Sequence, residues 1–117
     1  MKLADIARKL ALKNLTPEID LDSCPDITRG YASDLLSDVL AHAPAGGVLV
    51  TVQVHMNVVA VAVHADQTAV IFALDREPDE ITRQRAAEEG VCLLVSPAPA
   101  FEIVGKLYGL GLRGDKE

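Results

Sequence analysis

The chain reads as an α/β domain, a small sandwich in which a mainly parallel sheet is covered by helices. Three observations predict this. Residues 48–54, 69–74 and 91–95 are short apolar runs dominated by Val, Ile, Leu and Ala. Stretches with helical spacing lie between them, and strands alternating with helices imply parallel pairing. The apolar half of the 117 residues includes only two Phe, two Tyr and no Trp. An aliphatic core of this kind suits strands buried on both faces, which are written as continuous hydrophobic runs.

The elements follow in order. Residues 1–13 carry Leu3, Ile6, Ala7 and Leu10 at helical spacing and predict a first helix. Residues 14–16 predict a brief extended piece. Residues 20–25 form a polar turn in which Pro25 excludes helix. Residues 27–31 predict a strand closed by Gly30. Ser33 or Asp34 is placed to cap the next helix, because a side-chain oxygen there can accept from an unpaired first-turn N–H. Leu35, Leu36, Val39, Leu40 and Ala43 share one face of that helix, and Ser37, Asp38 and His42 fall largely on the other. Pro44, Gly46 and Gly47 end it.

Residues 48–54 give the strongest strand signal. The next segment, residues 58–63, is almost wholly β-branched and alanine. Propensity alone favours a hairpin around residues 55–57. The alternation of the rest of the chain favours a short buried helix, capped by Asn57 and crossing to a parallel strand at residues 69–74. The helix is the expectation adopted here. Glu77-Pro78-Asp79-Glu80 starts a further helix, with proline and acids at its positive end, and Gly90 is its expected left-handed terminator. Residues 91–95 form the last buried strand. Ser96-Pro97-Ala98-Pro99 turns into a final helix bearing Phe101, Ile103, Val104, Leu107 and Tyr108. Residues 1–112 thus make one domain, and Gly109, Gly111 and Gly114 predict a frayed tail over residues 113–117.

A net charge of −6 with scattered Lys and Arg opposes nucleic-acid binding, which needs a basic stripe to displace counterions. No apolar run approaches the ~20 residues of a membrane span, and the start of the chain lacks a signal-peptide pattern. Cys24 and Cys92 belong to no CxxC pair, which fits buried thiols in a reducing cytoplasm. The high apolar content predicts a protein–protein contact on the surface, with a homodimer or higher homo-oligomer as the expected state.

Four stretches carry a family resemblance: residues 30–39 (Gly-Tyr-Ala-Ser-Asp-Leu-Leu-Ser-Asp-Val), Thr51-x-Gln53-x-His55-x-Asn57, Asp75-Arg76-Glu77-Pro78-Asp79, and Ala100-Phe101-Glu102-Ile103-x-Gly105-x-Leu107-Tyr108. Together, over residues 1–112, they resemble the stand-alone DRTGG-domain proteins. That family is similar to the N-terminal domain of bacterial HPr kinase/phosphorylase, and it occurs inside phosphotransacetylases and beside CBS domains in regulatory pyrophosphatases. The resemblance implies an HPr kinase N-terminal-like α/β sandwich with an accessory role in subunit contacts and nucleotide-responsive regulation. The chain departs from the motif that names the family. Where larger relatives place a Gly-Asp-Arg turn it has residues 53–57, and where they place Thr-Gly-Gly it has Ala73-Leu74-Asp75-Arg76. Glycine turns let a backbone approach phosphate closely, so their loss removes that argument for a shared phosphate site.

Ligands of open α/β sheets collect outside the carboxyl ends of the strands. Those ends supply Gln53, His55, Asn57, Asp75, Arg76 and Ser96, which could recognise a small anionic or nucleotide-like ligand. The plainer alternative is that they are turn and cap residues. His55 and His64 lack acidic or thiol ligands at metal-site spacing, so no metal or cofactor is expected. Ser33, Ser37 and Ser96 lie in no Gly-x-Ser-x-Gly turn. Kinase chemistry is not expected, because the only Gly-Lys, Gly105-Lys106, precedes Leu107 within a predicted helix and is no phosphate-binding loop. The leading expectation is a non-catalytic, cytoplasmic regulatory or scaffolding module that self-associates, with or without a partner protein. The alternative is a small-ligand sensor at the strand ends. An enzyme would need titratable groups converging in one pocket.

Overall fold

The computed structural model describes residues 1–115. The three apolar runs and a short segment before them become parallel strands lying side by side in chain order: β2 (Gly30–Ala32), β3 (Val48–Thr51), β4 (Ala69–Phe72) and β5 (Cys92–Val95). β1 (Lys13–Asn14) adds antiparallel to β5, giving the order β1-β5-β4-β3-β2. Residues alternate across this sheet as a period of two requires. Val48, Val50, Ala69, Ile71, Cys92 and Leu94 pack towards α1 (Leu3–Lys9) and α5 (Ala100–Gly109). Leu49, Val70, Phe72, Leu93 and Val95 pack towards α2 (Leu36–His42), α3 (Asn57–His64) and α4 (Glu80–Glu89). The result is the predicted α/β sandwich.

The distribution of helices follows from strand order. Successive parallel strands advance in one direction, so crossovers of one hand put α2, α3 and α4 on a single face. The chain leaves β5 for the opposite face, where α5 buries Ile103 and Leu107 beside Leu3 and Ile6 of α1.

Residues 58–63 are helical, as the alternation of elements predicts. Val58, Val59 and Ala62 are buried along one stripe of α3. Packing against β3 and β4 outweighs the β-branched propensity of this segment. Asn57, however, is the first helical residue and not the cap. Met56 occupies the N-cap without a side-chain bond, and Asn57 N–H instead donates to His55 Nδ1 at 3.1 Å. α4 conforms more closely to expectation. The Asp79 carboxylate accepts from Thr82 N–H at 2.8 Å, and Gly90 ends the helix at φ +76°, a conformation costly for residues with a Cβ.

Several local expectations are corrected. Gly30 opens β2 and does not close a strand, because the chain lies against β3 only from there to Ala32. Neither Ser33 nor Asp34 caps α2. Leu35 is the N-cap residue, Ser33 Oγ accepts from Leu35 N–H at 3.2 Å, and Asp34 reaches the end of β3. α2 lies over the sheet margin, so only Val39 and Ala43 are buried while Leu35 and Leu40 face solvent. The tail is also held in part: Arg113 N–H donates to Thr28 O and its carbonyl accepts from Gly30 N–H, extending the sheet edge by one bridge. Lys116 and Glu117 lie outside the described residues.

Candidate functional site

The carboxyl ends of β4 and β5 are where the covering helices part, α4 to one face and α5 to the other. In open α/β sheets such a divergence is where a crevice opens. Here the two loops are laced together. Leu74 N–H donates to Ala98 O at 3.0 Å, Asp75 N–H to Ser96 O at 2.9 Å, and Ser96 N–H to Phe72 O at 2.9 Å. Ser96 is buried, and its hydroxyl accepts from Ala98 N–H at 3.1 Å. Arg76 N–H closes a turn onto Ala73 O at 3.1 Å, with Leu74 and Asp75 at φ +60° and +56°. Asp tolerates this left-handed region and Leu does not. The turn thus keeps a glycine-type backbone without glycine, and it presents Asp75 and Arg76 to solvent.

That strain is testable. Leu74→Gly relieves a left-handed penalty of ~1–2 kcal/mol and adds about 0.5–1 kcal/mol of unfolded-state entropy cost. Leu74 is more than half exposed, so little packing is lost. A net gain of up to about 1 kcal/mol is expected in urea unfolding. A loss of stability would show that packing holds Leu74 and that the turn is unstrained.

The loop after β3 is built differently. Thr51 Oγ donates to Asp34 Oδ1 at 2.8 Å and accepts from Gln53 N–H at 3.0 Å, while Val52 N–H donates to the same Asp34 oxygen at 2.8 Å. Gln53 Oε1 then accepts from His55 N–H at 3.1 Å. Gln53, His55 and Ser96 therefore shape loops with the side chains that the sequence offered to a ligand. Asp75 and Arg76 are exposed, and Asn57 lines a cavity of about 140 Å³ with Met56, Ala60, Ile81, Thr82 and Arg85. This cavity lies at the amino ends of α3 and α4. Thr82 is buried beside Asp79; its side chain and its N–H, which donates to the carboxylate, hold the Asp79 carboxyl below its ordinary pKa, while the Thr82 hydroxyl lies outside hydrogen-bond geometry with any partner among the described residues. Asp34, Thr82 and Arg85 are the residues that sequence reasoning missed here. The capping pattern Asp79-x-x-Thr82 was the one available signal.

No protein-family model matches the chain, and no curated protein matches it. Among solved structures, the chain is similar to the crystal structure of the CBS and DRTGG domains of the regulatory region of Clostridium perfringens pyrophosphatase, complexed with its activator diadenosine tetraphosphate. The TM-score is 0.73 at 10% sequence identity, and the match covers 91% of this chain and 45% of the other. The fold is DRTGG-like. At this identity the likeness is one of fold, and the chain spans about half the length of that structure.

Two further features lie away from the strand ends. A groove of about 300 Å³ runs between β2 and α5, lined by Gly30–Ala32 of β2, Val50, Val104, Leu107, Tyr108, Leu112 and the tail residues Arg113 and Gly114. Across β2, Tyr31 Oη bonds both Asp38 oxygens at 3.0 and 2.9 Å, and His42 Nδ1 lies 3.1 Å from Asp38 Oδ1. The Tyr31 bond foremost, then Ser33 and His42, lowers the Asp38 pKa, while the Asp38 carboxylate raises that of Tyr31. Both shifts move away from neutrality. The two Tyr31 bonds tie the edge strand β2 to α2. Among the described residues no three His, Cys, Asp or Glu side chains gather to hold a metal ion, and no helix is long and apolar enough to cross a membrane.

Proposed function

We propose that this chain is a cytoplasmic regulatory domain, not a catalyst, that senses a nucleotide-like anionic ligand at the carboxyl end of its parallel sheet. The observation that carries the reading is the left-handed turn at Leu74 and Asp75, which holds Asp75 and Arg76 outward where α4 and α5 diverge. Strained backbone of this kind persists where the surroundings over-determine it, as at ligand sites. Arg76 supplies a cation for phosphate, and Asp75 an acceptor for hydroxyl or amino groups. Asn57 and Arg85 extend the polar rim towards the α3–α4 cavity, while Gln53, His55 and Ser96 fix the loops. The regulatory setting of the similar pyrophosphatase region, with its dinucleotide activator, supports this reading. Kinship with the N-terminal domain of HPr kinase/phosphorylase belongs to the same proposal.

A thermal-shift screen of adenine nucleotides and acyl phosphates tests it. At one hundred times its dissociation constant, a true ligand adds ~2.7 kcal/mol of stability. The shift should disappear in Arg76→Ala. No shift with any compound, or one indifferent to Arg76→Ala, would sink the proposal.

A second reading, self-association as a scaffolding module, is favoured by a specific feature. Phe101, Val104 and Tyr108 form an exposed apolar stripe on α5, with Phe101 85% accessible. Sedimentation equilibrium at micromolar concentration distinguishes an oligomer from a monomer.

A further inference from the structure

We infer that the cavity between the amino ends of α3 and α4 is a slot for the heterocyclic base of a nucleotide, with Asn57 and Thr82 reading its edge. This deepens the proposed ligand reading and rests on it: Arg76 holds the phosphates, and the slot holds the base.

The two helices contribute alike. Met56, Asn57 and Ala60 line the cavity from α3 and its cap, and Ile81, Thr82 and Arg85 line it from α4. Each set stands at positions n, n+1 and n+4, spacings that share one helix face. The faces meet across about 140 Å³. That is below the ~300–1,000 Å³ of pockets that enclose a whole drug-sized ligand. It suits one ring system, with the rest of the ligand outside.

The lining offers two kinds of surface. Met56 and Ile81 are 57% and 68% accessible although apolar, one on each helix. Ala60 is small and leaves room beside them. The flat faces of a base suit such walls, and a thioether favours an aromatic ring. The polar part is Asn57, Thr82 and Arg85. Thr82 is only 2% accessible, yet its hydroxyl has no hydrogen-bond partner among the described residues. Buried hydroxyls are rarely left so, and one on a cavity wall is satisfied when a ligand brings the partner. Helical side chains lean towards the amino end of their helix, which aims Thr82 to the end where the cavity opens. Asn57 adds a donor and an acceptor together, the pairing that a base edge takes.

Charge separates a base from a phosphate here. Asp79 caps α4 and Glu80 follows it, both exposed. A phosphate in the slot would face these carboxylates, with Arg85 the one cation of the lining. A neutral base meets no such opposition, and the planar Arg85 guanidinium can stack on it. Position then joins the slot to the strand ends. α3 follows β3 and α4 follows β4, so both amino ends lie at the carboxyl edge of the sheet. Only residues 77–79 separate Arg76 from Glu80, which keeps their Cα atoms within about 14 Å. A nucleoside di- or triphosphate spans that gap.

Calorimetric titration of the full chain with the four ribonucleoside triphosphates and with inorganic tripolyphosphate tests the slot. At least one nucleotide should bind at least ~10-fold more tightly than tripolyphosphate, as stacking of a base provides. Ala60→Leu fills the slot and should bring that nucleotide to the tripolyphosphate affinity, leaving tripolyphosphate itself unaffected. Thr82→Val keeps the shape without the hydroxyl. It should weaken the nucleotide by roughly 2–10-fold with no loss in the thermal midpoint of the unliganded protein. A nucleotide that binds no better than tripolyphosphate, or one indifferent to Ala60→Leu or to Thr82→Val, overturns the slot and leaves the Arg76 site standing. Binding that Ala60→Leu abolishes and Arg76→Ala leaves intact keeps the base in the slot and overturns the strand-end phosphate contact. No binding of any probe overturns both.

Discussion

Replacing Phe72 by alanine is expected to cost about 3–5 kcal/mol of folding stability. Phe72 lies on β4, the central strand, and is fully buried against the α2–α3–α4 face. It is the largest of the fully buried side chains. The other three aromatics are at or near the surface: Phe101 and Tyr108 are exposed and Tyr31 is half-buried. The Phe72 ring is therefore the one bulky filler in a layer otherwise built from Val, Leu and Ala. Its neighbours in that layer, such as Val58, Val59 and Ala62, are short or β-branched and fixed on a helix, so they cannot collapse into the void. The residual cavity adds to the lost transfer energy. For a domain with ~5–15 kcal/mol in total, such a loss approaches unfolding at room temperature. Urea titration followed by circular dichroism measures it, with Phe101→Ala in dilute solution as the contrast, expected within about 0.5 kcal/mol of the wild type. A cost for Phe72→Ala below about 2 kcal/mol would mean that the layer repacks far more freely than rigid helices allow.

The sheet was legible in the sequence because its signals are local. β3, β4 and β5 are runs of apolar residues that need burial on both sides, and α4 carries its cap and its terminator within a dozen residues. The helical state of residues 58–63 was legible only through the alternation of its neighbours, since its own composition argues for a strand. Long-range pairings were not legible. The Asp34 carboxylate has the local chemistry of a helix cap, yet it spends its bonds on Thr51 and Val52, 17 and 18 residues away. Asp38 reads as an outward polar residue, yet it takes the Tyr31 hydroxyl from the edge strand. Of the six strand-end residues, those that reach the rim were readable from position alone. That Gln53, His55 and Ser96 turn back to bond nearby N–H groups depends on loop conformation, which spacing does not encode. α5 was ambiguous for another reason. Its apolar residues cover most of the circumference, and only the sheet beneath Ile103 and Leu107 decides which of them point inward.

Cys92 is expected to resist alkylation at neutral pH by at least ~1,000-fold relative to the unfolded chain, whose thiols titrate near 8.5. Its Sγ lies 3.6 Å from that of Cys24, a meeting of residues 68 apart that no CxxC pattern announces. Burial foremost, and then the neighbouring Cys24 thiol, pushes the Cys92 pKa up to about 12. The thiolate is the reacting species, and its fraction at pH 7 falls accordingly. Thiol labelling with peptide mapping, in native buffer and in guanidinium, reads the ratio at Cys92 itself; rapid native labelling would mean that the site opens readily. The same shift has a thermodynamic sign. A folded-state pKa above the unfolded value means that the unfolded chain loses its proton first as pH rises. The stabilisation is complete below about pH 8.5 and is lost progressively towards pH 12, with a slope of at most about 1.4 kcal/mol per pH unit. Tyr31 is also raised and acts in the same direction. Urea titrations at neutral and alkaline pH should therefore show stability declining in the wild type, less steeply in Cys92→Ala, and least in Cys92→Ala combined with Tyr31→Phe. An alkaline slope unchanged by Cys92→Ala would place the proton release elsewhere and remove the buried thiol pair as its source.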